Sequence, residues 1–253
     1  MSNQIEKQQS REEAIEIERR LMMKALARRD PAAKANATGR LIFAIDLTRS
    51  RKAALKQARI ATAAMFETIS SIGGITIKLA YFRGGDQCRA TRGFLDAAVL
   101  SRSMLELSCE AGPTQIASVL RLALAEPSEI SGVVFIGDQC EEKPEVLIEL
   151  AVQLGLRSLP LFIFHECSDT NKASVEVKPL FKRMAEASRG IYVEFAPDSG
   201  TVLNELLAGI GAFSAAGKDG LRQLEPPRSS EAKRLRERLL LGPSSAPNDN
   251  KKH

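Results

Sequence analysis

The sequence predicts an α/β protein with a Rossmann-like, doubly wound and mostly parallel six-stranded sheet, one antiparallel edge strand and helices on both faces. Three observations predict this fold. Short apolar runs alternate with helical patterns of about 10–15 residues, which is typical of a parallel sheet. The apolar runs are continuous, as expected for strands that are covered on both faces. Two of these runs are joined only by the short connection RGGDQ, which fits a hairpin and therefore an antiparallel edge.

The individual elements follow in chain order. An N-terminal amphipathic helix begins at the capping-box pattern Ser10-x-x-Glu13 and ends before DPAAKANATG. The predicted strands are LIFAID, ITIKLAYF, CRATRGF, SGVVFIGD, LPLFIFHE and IYVEFA. The predicted helices are KAALKQARIATAAMFETISSIGG, DAAVLSRSMLEL, QIASVLRLALAE, KPEVLIELAVQLG, VEVKPLFKRMAEASRG and SGTVLNELLAGIGAF. The first of these helices is closed by Gly73 and Gly74, which are typical C-terminal signals.

The composition fits one globular domain with an arm at each end. The 253 residues are 44% hydrophobic and 26% charged, an ordinary globular profile. We expect an N-terminal helix and linker in 1–40, the α/β domain in 41–213, and a flexible C-terminal tail in 214–253 with a short amphipathic helix at 229–241. No window holds the roughly 20 apolar residues of a membrane helix, and the N-terminus lacks the apolar core of a signal peptide. We therefore expect a cytoplasmic protein.

The net charge of +5 belongs to the two arms. Residues 1–40 carry nine basic and six acidic side chains, and residues 218–253 carry nine and five. The middle of the chain is slightly acidic, and the whole chain has no Trp and only two Tyr. Stacking on single-stranded nucleic acid therefore has little support. An adaptor that binds nucleic acid through its basic arms remains an alternative.

Polar side chains cluster at the ends of the predicted strands and in the loops beside them. These residues are Asp46, Thr48, Ser50, Thr114 and Asp138. Ligand sites in open α/β sheets lie at the carboxyl ends of the strands. Two carboxylates and three hydroxyls offer only hard oxygen ligands, so the pattern predicts a Mg²⁺ or Mn²⁺ site that keeps a position open for a further anion. The alternative is that the two aspartates only cap turns.

This pattern resembles the von Willebrand factor type A (vWA) domain and its metal-ion-dependent adhesion site, D-x-[ST]-x-S…T…D. The resemblance covers residues 41–213 and points to the bacterial intracellular type. It implies that Thr48, Ser50 and Thr114 bind the metal directly, and that Asp46 and Asp138 bind it directly or through water. It also implies a protein-interaction domain in which an Asp or Glu of a partner completes the Mg²⁺ sphere. Intracellular members usually serve assemblies, often with a chaperone or an ATPase.

The chain departs from the family pattern inside the motif. Leu47 and Arg49 stand where the family often has small residues, and Gln139 stands where glycine often follows the second aspartate. We expect Arg49, Arg51 and Gln139 to face the ligand, and Glu166 to lie just outside the metal sphere.

Other site chemistries have weaker support. Zinc bound by Cys140, His165 and Cys167 is an alternative, although their spacing does not match a known zinc pattern. The sequence contains no GxSxG elbow, P-loop or G-x-G-x-x-G pattern. We therefore expect a binding protein rather than an enzyme, with a metal-dependent hydrolase as the enzymatic alternative.

The C-terminal arm carries a second candidate contact. The segment SSEAKRLRERLLLG has a serine cap and a glycine stop, so it predicts a short helix. We expect its apolar end to be a docking element outside the core, which covers the domain surface or binds in the groove of a partner; the partner-docking residues are Leu235, Leu239, Leu240 and Leu241.

Overall fold

The helices and strands lie close to where the sequence predicts them. The computed structural model describes residues 37–48, 52–69, 72, 74–85, 87–168, 170–196 and 199–242. The strands are β1 (Ala37–Asp46), β2 (Gly74–Arg83), β3 (Gln87–Ala90), β4 (Gly132–Gly137), β5 (Leu161–Glu166) and β6 (Tyr192–Phe195). The helices are α1 (Lys52–Ile69), α2 (Ala97–Leu105), α3 (Ile116–Ala125), α4 (Pro144–Leu156), α5 (Lys172–Ala187), α6 (Gly200–Gln223) and α7 (Ser230–Leu241). The N-terminal helix that we predict lies outside the described residues.

The sheet confirms the predicted fold class. Its six strands are ordered β3-β2-β1-β4-β5-β6. Only the β2–β3 pair is antiparallel, and it forms the hairpin at one edge. Along β1, Leu41, Phe43 and Ile45 join the core on one face, whereas Ile42 and Ala44 join the core on the other. Because both faces are buried, successive residues of the strand are apolar, which is the pattern that the sequence displays.

Two groups of helices cover the two faces of the sheet. Helices α1, α2, α6 and α7 contribute residues to one core, and helices α3, α4 and α5 contribute to the other. The helices cover the faces of the sheet, so the carboxyl ends of the parallel strands are bordered by loops. Ligand sites of open α/β sheets form at these loops. Among the described residues, no helix combines the length and the apolar character that a membrane span requires.

The C-terminal region differs from the sequence-based expectation. Helix α6 continues past residue 213 to Gln223, with a local break at Ala216 and at Gly217, whose φ is +59°. Leu235 and Leu239 of α7 are 1% and 5% exposed and belong to the same core as α6. These two leucines are therefore part of the domain core and not a surface for a partner. The expectation failed because the sequence of this segment does not show that α6 has an apolar face against which α7 packs.

Candidate metal centre

Two aspartates lie at the carboxyl ends of neighbouring strands of the sheet. Asp46 is the last residue of β1, and Asp138 directly follows β4. Strands β1 and β4 are parallel neighbours, and Ile45 pairs with Ile136. Asp46 is therefore level with Gly137, the residue before Asp138. Asp46 is 0% exposed and Asp138 is 6% exposed. Their burial places two carboxylates in a region where an isolated negative charge is costly.

The segment after β1 is folded back into a turn. The Oδ1 atom of Asp46 accepts a hydrogen bond of 2.8 Å from the amide of Thr48, which is the local turn that aspartate favours. The amide of Leu47 donates to the carbonyl of Phe82, and its carbonyl accepts from the amide of Glu110, both at 3.0 Å. Thr48 is buried as a result of this packing. Leu47 is buried too, which explains how this position carries a large side chain.

Thr114 is held at this edge by its neighbours in space. Its hydroxyl oxygen accepts a hydrogen bond of 3.1 Å from the amide of Glu141, and its amide donates one of 2.8 Å to the Glu141 carboxylate. Glu141 lies three residues after Asp138, so the two loops are directly linked. Earlier in the Thr114 loop, Gly112 packs on Gly84 so closely that a Cβ atom would lie 1.8 Å from the Gly84 carbonyl oxygen.

The donor set fits a divalent cation of the magnesium type. Within the part of the chain that the structure describes, Asp138 Oδ1 is buried and accepts no hydrogen bond. A buried carboxylate oxygen without a donor costs roughly 1–3 kcal/mol or more, and a bound cation removes that cost. Asp46, Thr48 and Thr114 add hard oxygen atoms at the same edge. Ser50, Arg49 and Arg51 lie outside the described residues.

Two further glutamates and a cysteine follow Asp138. The Glu142 carboxylate accepts hydrogen bonds from the amides of Ile116 and Ala117, and so caps α3. Burial raises the pKa of Glu142, although these amides oppose that shift. Burial also raises the pKa of the Cys140 thiol, to about 11. Gln139, which we expected to face the ligand, is half-buried beside them.

His165 lies on β5, contacts the backbone of Asp138 and is fully buried. Its Nε2 atom is 3.2 Å from the backbone oxygen of Asp138 and 3.0 Å from Ser174 Oγ, and its Nδ1 atom is 2.7 Å from Tyr192 Oη. Both ring nitrogens thus have protein partners, which argues against a zinc ligand. Over the described residues, no three His, Cys, Asp or Glu side chains are arranged to hold a metal. Glu166, the next residue, ends β5 at the same edge, and its carbonyl accepts from Ser174.

Sequence reasoning missed Glu141 and Glu142. The relevant sequence feature is the residue before α3: Gln115 is not a typical N-cap residue, and it makes no side-chain capping bond in the structure. A helix without its own cap needs other acceptors for its first amides. The two consecutive acids of the β4–α4 loop supply them.

Comparisons with known proteins identify the fold. No protein-family model matches the sequence, and no curated protein matches it. Among solved structures, a von Willebrand factor type A protein from Catenulispora acidiphila has a TM-score of 0.56 and 17% identity, over 70% of this chain and 43% of that one. The vWF domain of the type V pili tip protein Mfa5 from Porphyromonas gingivalis has a TM-score of 0.53 and 9% identity, over 71% and 97%.

A third structure carries a metal. Proximal thread matrix protein 1 from the mussel byssus, with zinc in its adhesion-site motif, has a TM-score of 0.51 and 12% identity, over 70% of this chain and 46% of that one. The present chain thus spans less than half of the first and third of these structures. These similarities define the class of protein: the chain has the von Willebrand factor type A fold.

Proposed function

We propose that this protein binds a divalent cation, Mg²⁺ or Mn²⁺, and uses it to bind an acidic side chain of a protein partner. The observation that carries the proposal is the buried Oδ1 atom of Asp138, which has no hydrogen-bond donor among the described residues. Asp46, Thr48, Ser50, Thr114 and Asp138 would hold the cation. The zinc-occupied motif in a protein of the same fold supports the choice of site.

The chemistry of the ligands explains why a partner is needed. Threonine and serine hydroxyls are neutral, and the two aspartates are the only charged groups proposed as ligands. The bound cation would supply an electropositive coordination position at the open end of the site. A carboxylate from a partner fits that position, because Mg²⁺ and Mn²⁺ prefer hard anionic oxygen. Resemblance to intracellular vWA proteins further supports an adaptor or scaffold role in an assembly with a chaperone or an ATPase.

The proposal assigns the protein to the cytoplasm. All four cysteines, Cys88, Cys109, Cys140 and Cys167, are free thiols. Free thiols are usual in a reducing compartment. Co-purification of a chaperone or ATPase from cytoplasmic extract, lost on chelation and with Asp138→Asn, would support the assembly role.

Titration calorimetry with chelator-washed protein tests the metal site. We expect saturable binding of Mg²⁺ or Mn²⁺, and at least a tenfold loss of affinity in Asp138→Asn, which keeps the shape of the side chain and removes its charge. Asp219→Asn is the matched control, because Asp219 is exposed on α6 beside Arg222. No saturable binding at millimolar metal, or equal binding by Asp138→Asn, would contradict the proposal.

A second measurement tests the carboxylate. With Mn²⁺ bound, acetate that enters the open position should show faster relaxation of its methyl protons. The effect should be present with the unmodified protein and with Asp219→Asn, and absent with Asp138→Asn. Metal binding without an acetate effect would mean that the cation has a structural role only.

A further inference from the structure

The two loops of the candidate metal centre are joined by a reciprocal pair of hydrogen bonds between Thr114 and Glu141. Each residue donates its backbone amide to the side chain of the other, at 2.8 Å and 3.1 Å. The residues are 27 positions apart in the sequence. A pair of this kind fixes both the backbone and the side chain of Thr114 relative to the loop that begins with Asp138.

We propose that Glu141 is a positioning residue for the metal site, which holds the Thr114 hydroxyl against Asp138 before the cation arrives. The inference rests on the proposed function. Because the Thr114 oxygen accepts only the Glu141 amide in this pair, it keeps a lone pair for a cation. The Glu141 carboxylate accepts the hydrogen bond of the Thr114 amide and is not itself a metal ligand.

The Thr114 side chain also interacts with Glu142 and Cys140, whereas its backbone amide donates to Glu141. Glu142 holds the next part of the segment, through the amides of Ile116 and Ala117. Gln115 gives α3 no side-chain cap. The amide of Thr114 therefore depends on Glu141, and Glu141 and Glu142 together join the β4–α4 loop to the start of α3. Partners that orient a metal ligand typically contribute a factor of 10–100 in metal affinity.

Three variants separate positioning from charge. Glu141→Ala removes the acceptor for the Thr114 amide, whereas Glu141→Gln keeps an acceptor oxygen and removes the charge. Glu145→Ala is the control, since Glu145 is an exposed acid in the first turn of α4. The readouts are the Mn²⁺ dissociation constant by calorimetry and the hydrogen-exchange rate of the Thr114 amide by NMR in metal-free protein.

We expect Glu141→Ala to weaken Mn²⁺ binding about tenfold and to accelerate exchange at Thr114. Glu141→Gln should restore both values to within about twofold of the unmodified protein, and Glu145→Ala should leave both unchanged. Equal loss of affinity in Glu141→Gln and Glu141→Ala would show that charge matters and would overturn the positioning role. Unchanged affinity in Glu141→Ala, with normal binding by the unmodified protein, would overturn this inference alone. An unmodified protein that binds no metal would instead overturn the proposed function on which the inference rests.

Discussion

The imidazole Nε2 atom of His165 lies 3.2 Å from the backbone oxygen of Asp138. A carbonyl oxygen only accepts, so Nε2 carries the proton and donates it. Ser174 Oγ, which donates to the Glu166 carbonyl, lies 3.0 Å from the same nitrogen. The Nδ1 atom lies 2.7 Å from the Tyr192 hydroxyl, which also hydrogen-bonds to the Glu194 carboxylate. Burial and the neighbouring Glu194 carboxylate raise the pKa of Tyr192, so the phenol keeps its proton.

Replacing His165 should destabilise the protein. His165→Ala removes one partner of the Tyr192 hydroxyl and the contact with the Asp138 carbonyl, and it also leaves a cavity beside Phe181. We expect a loss of roughly 2–4 kcal/mol in the free energy of unfolding, measured by urea denaturation. Tyr192→Phe removes the hydroxyl that contacts His165 and Glu194 but keeps the ring, so its effect should be smaller, about 1 kcal/mol. A His165→Ala protein as stable as the original would contradict the role of this hydrogen-bond network.

Replacing Gly112 should disturb the Thr114 loop. A Cβ atom at this position would lie 1.8 Å from the Gly84 carbonyl oxygen, so the backbone must move. We expect Gly112→Ala to lower stability by roughly 1–3 kcal/mol and to weaken metal binding, since Thr114 lies two residues further on. Gly93→Ala is the control, because a methyl group added at Gly93 would meet nothing within 4 Å among the described residues. Thermal melting and calorimetry of both variants check the result, and equal behaviour of the two would count against the close contact.

Helix α7 should be essential for the stability of the domain. Leu235→Ala removes a side chain that is 1% exposed in the core, and substitutions of this kind cost roughly 2–5 kcal/mol. Leu241→Ala on the same helix should change stability by less than about 0.5 kcal/mol, because Leu241 is 84% exposed. Chemical denaturation of the two variants measures the difference. If deleting residues 224–253 left the melting temperature unchanged, the packing of α7 would be refuted.

The link between α6 and α7 should weaken in acid. Burial alone would raise the pKa of Glu205, but hydrogen bonds from Ser229 and from the amide of Arg228 hold the pKa below the ordinary value of 4.5. A carboxylate with a lowered pKa in the folded state contributes stability above its unfolded-state pKa and loses it as the pH falls through the folded-state pKa.

The test compares melting temperatures between pH 6 and pH 3. We expect the unmodified protein to lose more stability over this interval than Glu205→Gln, which has no carboxylate to protonate. Glu225→Gln, at an exposed position after α6, should follow the unmodified protein. Parallel pH profiles for all three proteins would show that Glu205 does not contribute to acid sensitivity.

Much of the fold could be predicted because its signals are local. The apolar run from Leu41 to Ile45 indicates a strand that is buried on both faces, and the short RGGDQ connection indicates the antiparallel β2–β3 hairpin; the structure confirms both. The positions of Asp46 and Asp138 at one edge of the sheet follow from the same reasoning, because parallel strands end on the same side. That they bind a metal stays a prediction.

Contacts between distant parts of the chain were decided by tertiary structure alone. Glu141 meets Thr114, and His165 meets Asp138, across 27 residues each. Leu235 and Leu239 look in the sequence like the apolar end of an isolated helix, yet they are buried against the rest of the domain. The sequence by itself determined which residues form strands and helices and where the strands end, since backbone periodicity and turn chemistry act over a few residues. Only the tertiary structure decided which side chains satisfy a buried amide or cover an apolar face, because those partners depend on how the elements pack in three dimensions.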